Sequence, residues 1–115
     1  MKRFAVILFV AIVACSRREA TVSIGDPVRG RKLTASYGCN ACHSIPGVAG
    51  QAMVGPPLTN MASRAYIAGR LPNQPLDMID WIRAPRAIDP GTAMPDLGVT
   101  ERDARDMTAF LFTLR

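Results

Sequence analysis

The clearest helical pattern of apolar residues lies at the C-terminal end of the chain. It follows the sequence Thr100-Glu101-Arg102-Asp103, a variant of the capping box in which a carboxylate stands three residues after the capping threonine. Behind this start, apolar side chains recur at helical spacing and form one stripe, made of Ala104, Met107, Phe110, Leu111 and Leu114. The chain is therefore predicted to end in an amphipathic helix.

Three further helices are predicted from their start and stop signals. Asp26 supplies an N-cap carboxylate and Pro27 occupies the first helical position, so a helix is expected from there to Tyr37. Two shorter helices are expected over 59–68 and 75–83, each ended by a glycine or a proline. About four short helices joined by long loops predict an all-α fold.

An unbroken apolar run at positions 4–14 follows Lys2 and Arg3. A membrane-spanning helix needs about 20 apolar residues, and this run ends well short of that length. A positive start followed by a short apolar stretch is typical of a secretory signal. We therefore predict a signal peptide over 1–14 and export of the rest, with an uncleaved anchor as the alternative.

The end of this run, Ile12-Val13-Ala14-Cys15, resembles the lipobox of bacterial lipoproteins. That resemblance implies cleavage before Cys15 and acylation of its thiol and amine, which together hold a protein stably at a membrane. Positions 15–25 would then be a lipidated N-terminus and tether, and 26–115 the folded domain. The expected location is the periplasmic side of a bacterial membrane. Ordinary cleavage after Ser16, which gives a soluble periplasmic protein, is the alternative.

Composition limits the possible functions of the folded part. The chain has 115 residues, enough for one small domain, with 9 Gly and 9 Pro that favour loops over long helices. Its formal net charge is +5, but the basic residues are scattered, so we expect no nucleic-acid binding. Few aromatic residues follow the leader, which indicates that a group other than side chains fills the centre.

The pentapeptide Cys39-Asn40-Ala41-Cys42-His43 is C-x-x-C-H, the attachment signature of c-type haem. A structural zinc site needs four nitrogen or sulfur ligands, and no second pair of ligands follows this motif. A disulfide between Cys39 and Cys42 is a further alternative, but it leaves His43 without a role. On one helical turn, both sulfurs can reach the vinyl groups of a single porphyrin edge. The motif thus predicts one covalent haem c, with His43 as the proximal ligand.

Positions 25–114 resemble class I (mitochondrial-type) bacterial cytochrome c, which implies the cytochrome c fold. The segment Gly55-Pro56-Pro57-Leu58 is similar to the family's G-P-x-L sequence, and this resemblance implies that the Pro56 carbonyl accepts a hydrogen bond from Nδ1 of His43. In the family the first and last helices cross. Gly30 would be the point of close approach, with Phe110 as the aromatic residue that fills it.

The loop Pro90-Gly91-Thr92-Ala93-Met94-Pro95 is similar to the family's loop with the sixth iron ligand, which implies that Met94 is the distal ligand. A thioether is a soft, neutral ligand that stabilises ferrous iron. Met53, in a glycine-rich loop, is the alternative ligand. The other internal methionines lie in apolar-periodic stretches and are expected in the core, namely Met61, Met78 and Met107.

Trp81 occupies a position where the family often has a tryptophan whose indole N–H contacts a haem propionate. A purely structural role in the core is the alternative, and further candidates for the propionates are Arg70, Arg83 and Arg86. The stretch 64–95 is also similar to cytochrome c domains fused to some oxidase subunits. Because this chain has no copper-binding domain, that similarity implies a carrier related to them.

If His43 and Met94 both bind the iron, no coordination position is open for a substrate. We therefore expect a one-electron carrier of a respiratory chain, with a quinol-oxidising complex as donor, a terminal oxidase as acceptor and no small-molecule substrate. Apolar contact with these partners is expected near the haem edge, from Ile45, Val48, Ala49 and Met53. The alternatives are an electron-relay subunit of a membrane dehydrogenase or oxidase, and a small haem enzyme with an open iron site, such as a peroxidase.

Overall fold

A computed structural model describes residues 23–115. Within this range the chain forms four α-helices, two 3-10 turns and one pair of two-residue strands, in the order α1 (Pro27–Ser36), Cys39–Ala41, Met61–Ser63, β1 (Tyr66–Ile67), β2 (Leu71–Pro72), α2 (Pro75–Arg83), α3 (Pro85–Ile88) and α4 (Glu101–Leu111). The predicted signal peptide, the acylation site Cys15 and most of the tether lie outside the described residues. The helix-rich architecture agrees with the predicted all-α fold.

The first and last helices begin at their predicted caps. The Asp26 carboxylate accepts hydrogen bonds from the backbone N–H groups of Val28 and Arg29, at 2.9 and 3.2 Å. The Thr100 hydroxyl accepts from the N–H of Asp103 at 3.2 Å, which satisfies a donor that the helix itself leaves free. Both caps are local features, which is why the sequence alone located them.

Helices α1 and α4 cross in close contact. A Cβ atom on Gly30 would stand 1.9 Å from the carbonyl oxygen of Asp106, so only glycine permits this approach. The expected close contact at Gly30 is therefore present. The three atoms nearest to that position belong to the backbone of Asp106 and Met107 and not to Phe110, which is a buried residue of the core.

Helix α2 has the predicted bounds, and the short helix α3 begins at Pro85, directly after Ala84. The predicted helix over 59–68 is wrong. There the chain makes the turn Met61–Ser63 and then the antiparallel pair of β1 with β2. Asn60 and Ala68 have left-handed backbone conformations, with φ of 54° and 50°, and such residues interrupt a right-handed helix on both sides.

The core lies between α1, α2 and α4 and includes buried residues from the loops. It contains the three methionines expected there, Met61, Met78 and Met107, with exposed fractions of 2 to 6%. It also contains Ile45, Ile67, Ile79, Trp81, Ile82, Val99, Ala104, Phe110 and Leu111. No helix among residues 23–115 is long and apolar enough to cross a membrane.

Candidate haem-binding site

A cavity of about 700 Å³ opens between the helices and the long loops. Cofactor sites usually have volumes of roughly 300–1,000 Å³ and mostly apolar walls. Apolar side chains make up most of these walls, among them Leu58, Met61, Ile67, Met78, Ile82, Val99 and Leu111. The cavity therefore has the size and the lining of a site for a large apolar group.

The C-x-x-C-H segment forms one side of this cavity. Gly38, with φ of 78°, ends the first helix and starts the turn Cys39–Ala41. The N–H groups of Cys42 and His43 both donate to the carbonyl of Cys39, at 3.2 and 2.9 Å. This turn brings both sulfurs and the imidazole to the same cavity.

The alternative uses of the cysteines find no support among residues 23–115. The two thiols are free rather than joined in a disulfide. No group of three or more His, Cys, Asp or Glu residues in this range is arranged to hold a metal ion. Burial raises the pKa of the free Cys39 thiol.

The imidazole of His43 is fixed by its backbone neighbours. Its Nδ1 lies 2.7 Å from the carbonyl oxygen of Pro56, and because that oxygen can only accept, Nδ1 carries the proton. Nε2 is then left with its lone pair, the form that binds a metal. The predicted hydrogen bond to Pro56 is therefore present. A Cβ atom on Gly55 would stand 2.4 Å from Cε1 of the ring, so this position accepts only glycine without displacement.

Met94 lines the same cavity from the loop between α3 and α4. Its N–H donates to the hydroxyl of Thr92 at 3.2 Å, and the N–H of Thr92 donates to the carbonyl of Asp89 at 3.0 Å. These bonds shape the loop that brings Met94 to the cavity. Met53, the alternative ligand, is 86% exposed and is not among the cavity-lining residues.

Trp81 is 7% exposed and lines the cavity, as both of its predicted roles require. The arginines expected near the propionates are not part of the lining, and Arg70 is paired with Asp89 at 3.3 Å. Of the Asp, Glu, Lys and Arg residues in the described part of the chain, Arg64 alone lines the cavity. This role of Arg64 was not predicted from the sequence. The sequence does contain a signal for it, because Arg64 is the first Asp, Glu, Lys or Arg residue after Lys32.

The expected apolar contact surface needs one correction. Ile45 is 3% exposed and belongs to the core, so it cannot contact a partner. Val48 is half-buried, and Ala49 and Met53 are exposed. Val54, 79% exposed, also lines the cavity and was not predicted.

These residues fit a haem group. Two thiols at one side suit thioether attachment, and an imidazole nitrogen and a thioether sulfur are known axial ligands of haem iron. The apolar walls suit the porphyrin, and the guanidinium of Arg64 suits the porphyrin's carboxylates. The fold and the site define a small helical protein that carries covalent haem.

The cytochrome c family model matches residues 27–115, so the chain belongs to the cytochrome c family. Its cofactor is covalent haem c, with Cys39 and Cys42 at the attachment positions, and its function is that of a haem electron carrier. The chain is also 33% identical over 88 residues to cytochrome c oxidase subunit 2 of Alkalihalophilus pseudofirmus. The match covers 76% of this chain but only 25% of that relative, so the chain corresponds to a quarter of its length.

Proposed function

We propose that this protein is a one-electron carrier of a respiratory chain whose haem iron has His43 and Met94 as axial ligands. The proposal rests on the observation that both side chains line one cavity and that Nδ1 of His43 is hydrogen-bonded to the Pro56 carbonyl. If His43 and Met94 both bound the iron, they would leave no position for a substrate, and the haem would supply one-electron exchange.

The donor set also supports a carrier with a high reduction potential. A methionine sulfur stabilises the ferrous state, and burial in an apolar cavity disfavours the extra positive charge of the ferric state. Both effects favour accepting an electron from a quinol-oxidising complex and passing it to a terminal oxidase. The similarity to an oxidase subunit supports an oxidase as the acceptor.

An open-iron enzyme is the less supported alternative. Peroxide chemistry requires an acid–base group on the distal side, and His43 is the only histidine of the chain. A relay subunit of a membrane oxidase or dehydrogenase is the stronger alternative, because the relative is named as an oxidase subunit. Purification in mild detergent separates these roles, since a relay subunit stays with its complex and a shuttle is lost.

We propose in addition that the chain is exported and held at the periplasmic side of the membrane by lipid on Cys15. The support is the lipobox-like sequence and the short apolar leader. The mass of the mature chain tests this directly. Acylated Cys15 at the N-terminus supports the anchor, whereas an unmodified chain that begins after Ser16 indicates a soluble periplasmic protein.

The axial ligands are tested by the absorption spectrum of the ferric holoprotein. Methionine-ligated ferric haem has a weak long-wavelength charge-transfer band, which we expect in the native protein and expect to vanish in Met94→Ala. Met53→Ala is the matched control and should keep the band. A high-spin native spectrum, or loss of the band in Met53→Ala alone, contradicts Met94 ligation and favours the enzyme alternative.

A further inference from the structure

Arg64 connects the β-hairpin to the segment that holds His43. Its side chain is half-buried, and its Nη2 donates to two backbone carbonyls, that of Pro57 and that of Thr59, the latter at 2.8 Å. Pro57 directly follows Pro56, the residue whose carbonyl binds Nδ1 of His43, and Thr59 lies two residues after Pro57. One guanidinium therefore fixes the orientation of the peptide groups next to the histidine's acceptor.

The Pro56-Pro57 pair gives this contact its importance. Neither proline has an N–H group, so neither can anchor the segment by donating a hydrogen bond. The flanking residues do donate, Gly55 to the carbonyl of Cys42 at 2.8 Å and Leu58 to that of Ser44 at 2.9 Å. The Leu58 N–H lies in the same planar peptide group as the Pro57 carbonyl, so its bond to Ser44 and the bond from Arg64 hold this peptide group from both sides, next to the Pro56 carbonyl.

The base of Arg64 is itself held in place. Nδ2 of Asn73 donates to the carbonyls of Arg64 and Met61, at 2.9 and 2.7 Å. The N–H of Asn73 donates to the carbonyl of Ala65 at 3.0 Å, which closes the hairpin around this point. Arg64 is thus a fixed connection between the hairpin and the proline pair rather than a mobile surface cation.

We infer that Arg64 is a positioning residue for the His43 ligand: through Pro57 it holds the Pro56 carbonyl where Nδ1–H of His43 requires it. The inference rests on the proposed role of His43 as an iron ligand. A strong hydrogen bond at Nδ1 makes the imidazole more electron-rich and stabilises ferric iron. Loss of Arg64 should weaken that bond and thereby raise the reduction potential of the iron. Removal of its positive charge alone would lower the potential.

The experiment measures hydrogen exchange of the His43 Nδ1–H in the ferrous, diamagnetic holoprotein by NMR. We expect exchange about tenfold faster in Arg64→Met than in the native protein, the size expected from loss of one hydrogen bond. Arg70→Met is the matched control and should exchange at the native rate, because Arg70 pairs with Asp89 and lies outside the cavity lining.

Arg64→Lys separates geometry from charge, and it also serves if Arg64→Met does not mature. Lysine keeps the charge but not the planar fork that reaches two carbonyls. We expect faster exchange together with a raised reduction potential. Native exchange in Arg64→Met, or native exchange and potential in Arg64→Lys, overturns the inference. A native protein without a slowly exchanging His43 Nδ1–H and without Met94 resonances shifted by the haem contradicts the proposed ligands instead.

Discussion

Gly30 of α1 packs directly against the backbone of Asp106 of α4, and no further atom fits between the glycine Cα and the aspartate carbonyl. Arg29, the preceding residue, donates to the carboxylates of both Asp106 and Asp103. The carboxylate of Asp106 also accepts from the N–H of Asp26 at 2.7 Å. Close backbone contact and ionic hydrogen bonds therefore fix the same helix crossing, from which both helices reach the haem cavity.

Gly30→Ala should destabilise the protein because the new methyl group forces the two helices apart. The expected loss is about 1–3 kcal/mol or more in the free energy of unfolding, the cost typical of overpacking. Denaturant titration of the holoprotein measures it. Gly91→Ala is the control, since the nearest atom to its new methyl group lies at 3.5 Å, and it should change stability by less than about 0.5 kcal/mol. Equal stability of the two variants contradicts the tight crossing.

Tyr37→Phe should make the protein more sensitive to acid. The Tyr37 hydroxyl, donating at 2.6 Å, is the main cause that lowers the pKa of Asp103, with Arg29 second. A lowered folded pKa gives stability that is complete above the ordinary value of about 3.9 and is lost as the pH falls through the folded pKa. Without the hydroxyl the pKa of Asp103 rises, so acid unfolding should begin at higher pH.

Acid titration followed by circular dichroism checks this prediction. Tyr66→Phe is the matched control, because Tyr66 is 65% exposed and lies outside the α1–α4 contact. Its acid transition should match that of the native protein. The same midpoint in Tyr37→Phe as in the native protein argues against the ionic cluster as a source of acid resistance.

Sequence reasoning succeeded where the signal is local. The caps at Asp26 and Thr100 each bind N–H groups within three residues, so their side chains define helix starts without any knowledge of the fold. The haem attachment motif is equally local, because its turn is closed by bonds to Cys39 within the motif.

Two of the failures, the helix over 59–68 and the missed Arg64, have a common physical origin in side chains that bind backbone carbonyls several residues away. The stretch 59–68 has helix-compatible residues, but Asn73 binds the carbonyls of Met61 and Arg64 and stabilises a turn there instead. Arg64 acts on carbonyls of Pro57 and Thr59, and a carbonyl is the same chemical group in every residue. The uncharged stretch before Arg64 marks this residue in the sequence, but no pattern of side chains shows which carbonyls it binds.

Gly55→Ala should disturb the proposed proximal ligand. Its methyl group would stand 2.4 Å from Cε1 and 2.7 Å from Nδ1 of His43, so the ring or the proline segment has to move. We expect a loss of about 1–3 kcal/mol in holoprotein stability and a shifted charge-transfer band. Denaturation and absorption spectra measure both, with Gly91→Ala as the control for stability and Met53→Ala as the control for the band. Native values for both quantities contradict close packing of His43.

The stretch between Lys32 and Arg64, which we call the uncharged edge of the site, predicts how the carrier contacts a partner. No Asp, Glu, Lys or Arg occurs between Lys32 and Arg64, a stretch that includes the haem attachment turn and exposed Met53. Contact at such a surface depends on apolar burial, and like charges introduced there repel each other when two copies meet. Met53→Glu should therefore slow electron self-exchange between ferrous and ferric protein, on the order of tenfold at low salt.

Added salt should restore most of the lost rate in Met53→Glu, because it screens exposed charges beyond a Debye length of about 10 Å at 0.1 M. NMR line broadening in mixtures of the two oxidation states measures the exchange. The matched control is Val28→Glu, which places the same charge on an exposed apolar residue of α1, outside the uncharged stretch between Lys32 and Arg64. Because the net charge changes equally in both variants, a slower rate in Met53→Glu alone assigns electron exchange to the uncharged edge. Equal slowing in both attributes the effect to net charge and contradicts that assignment.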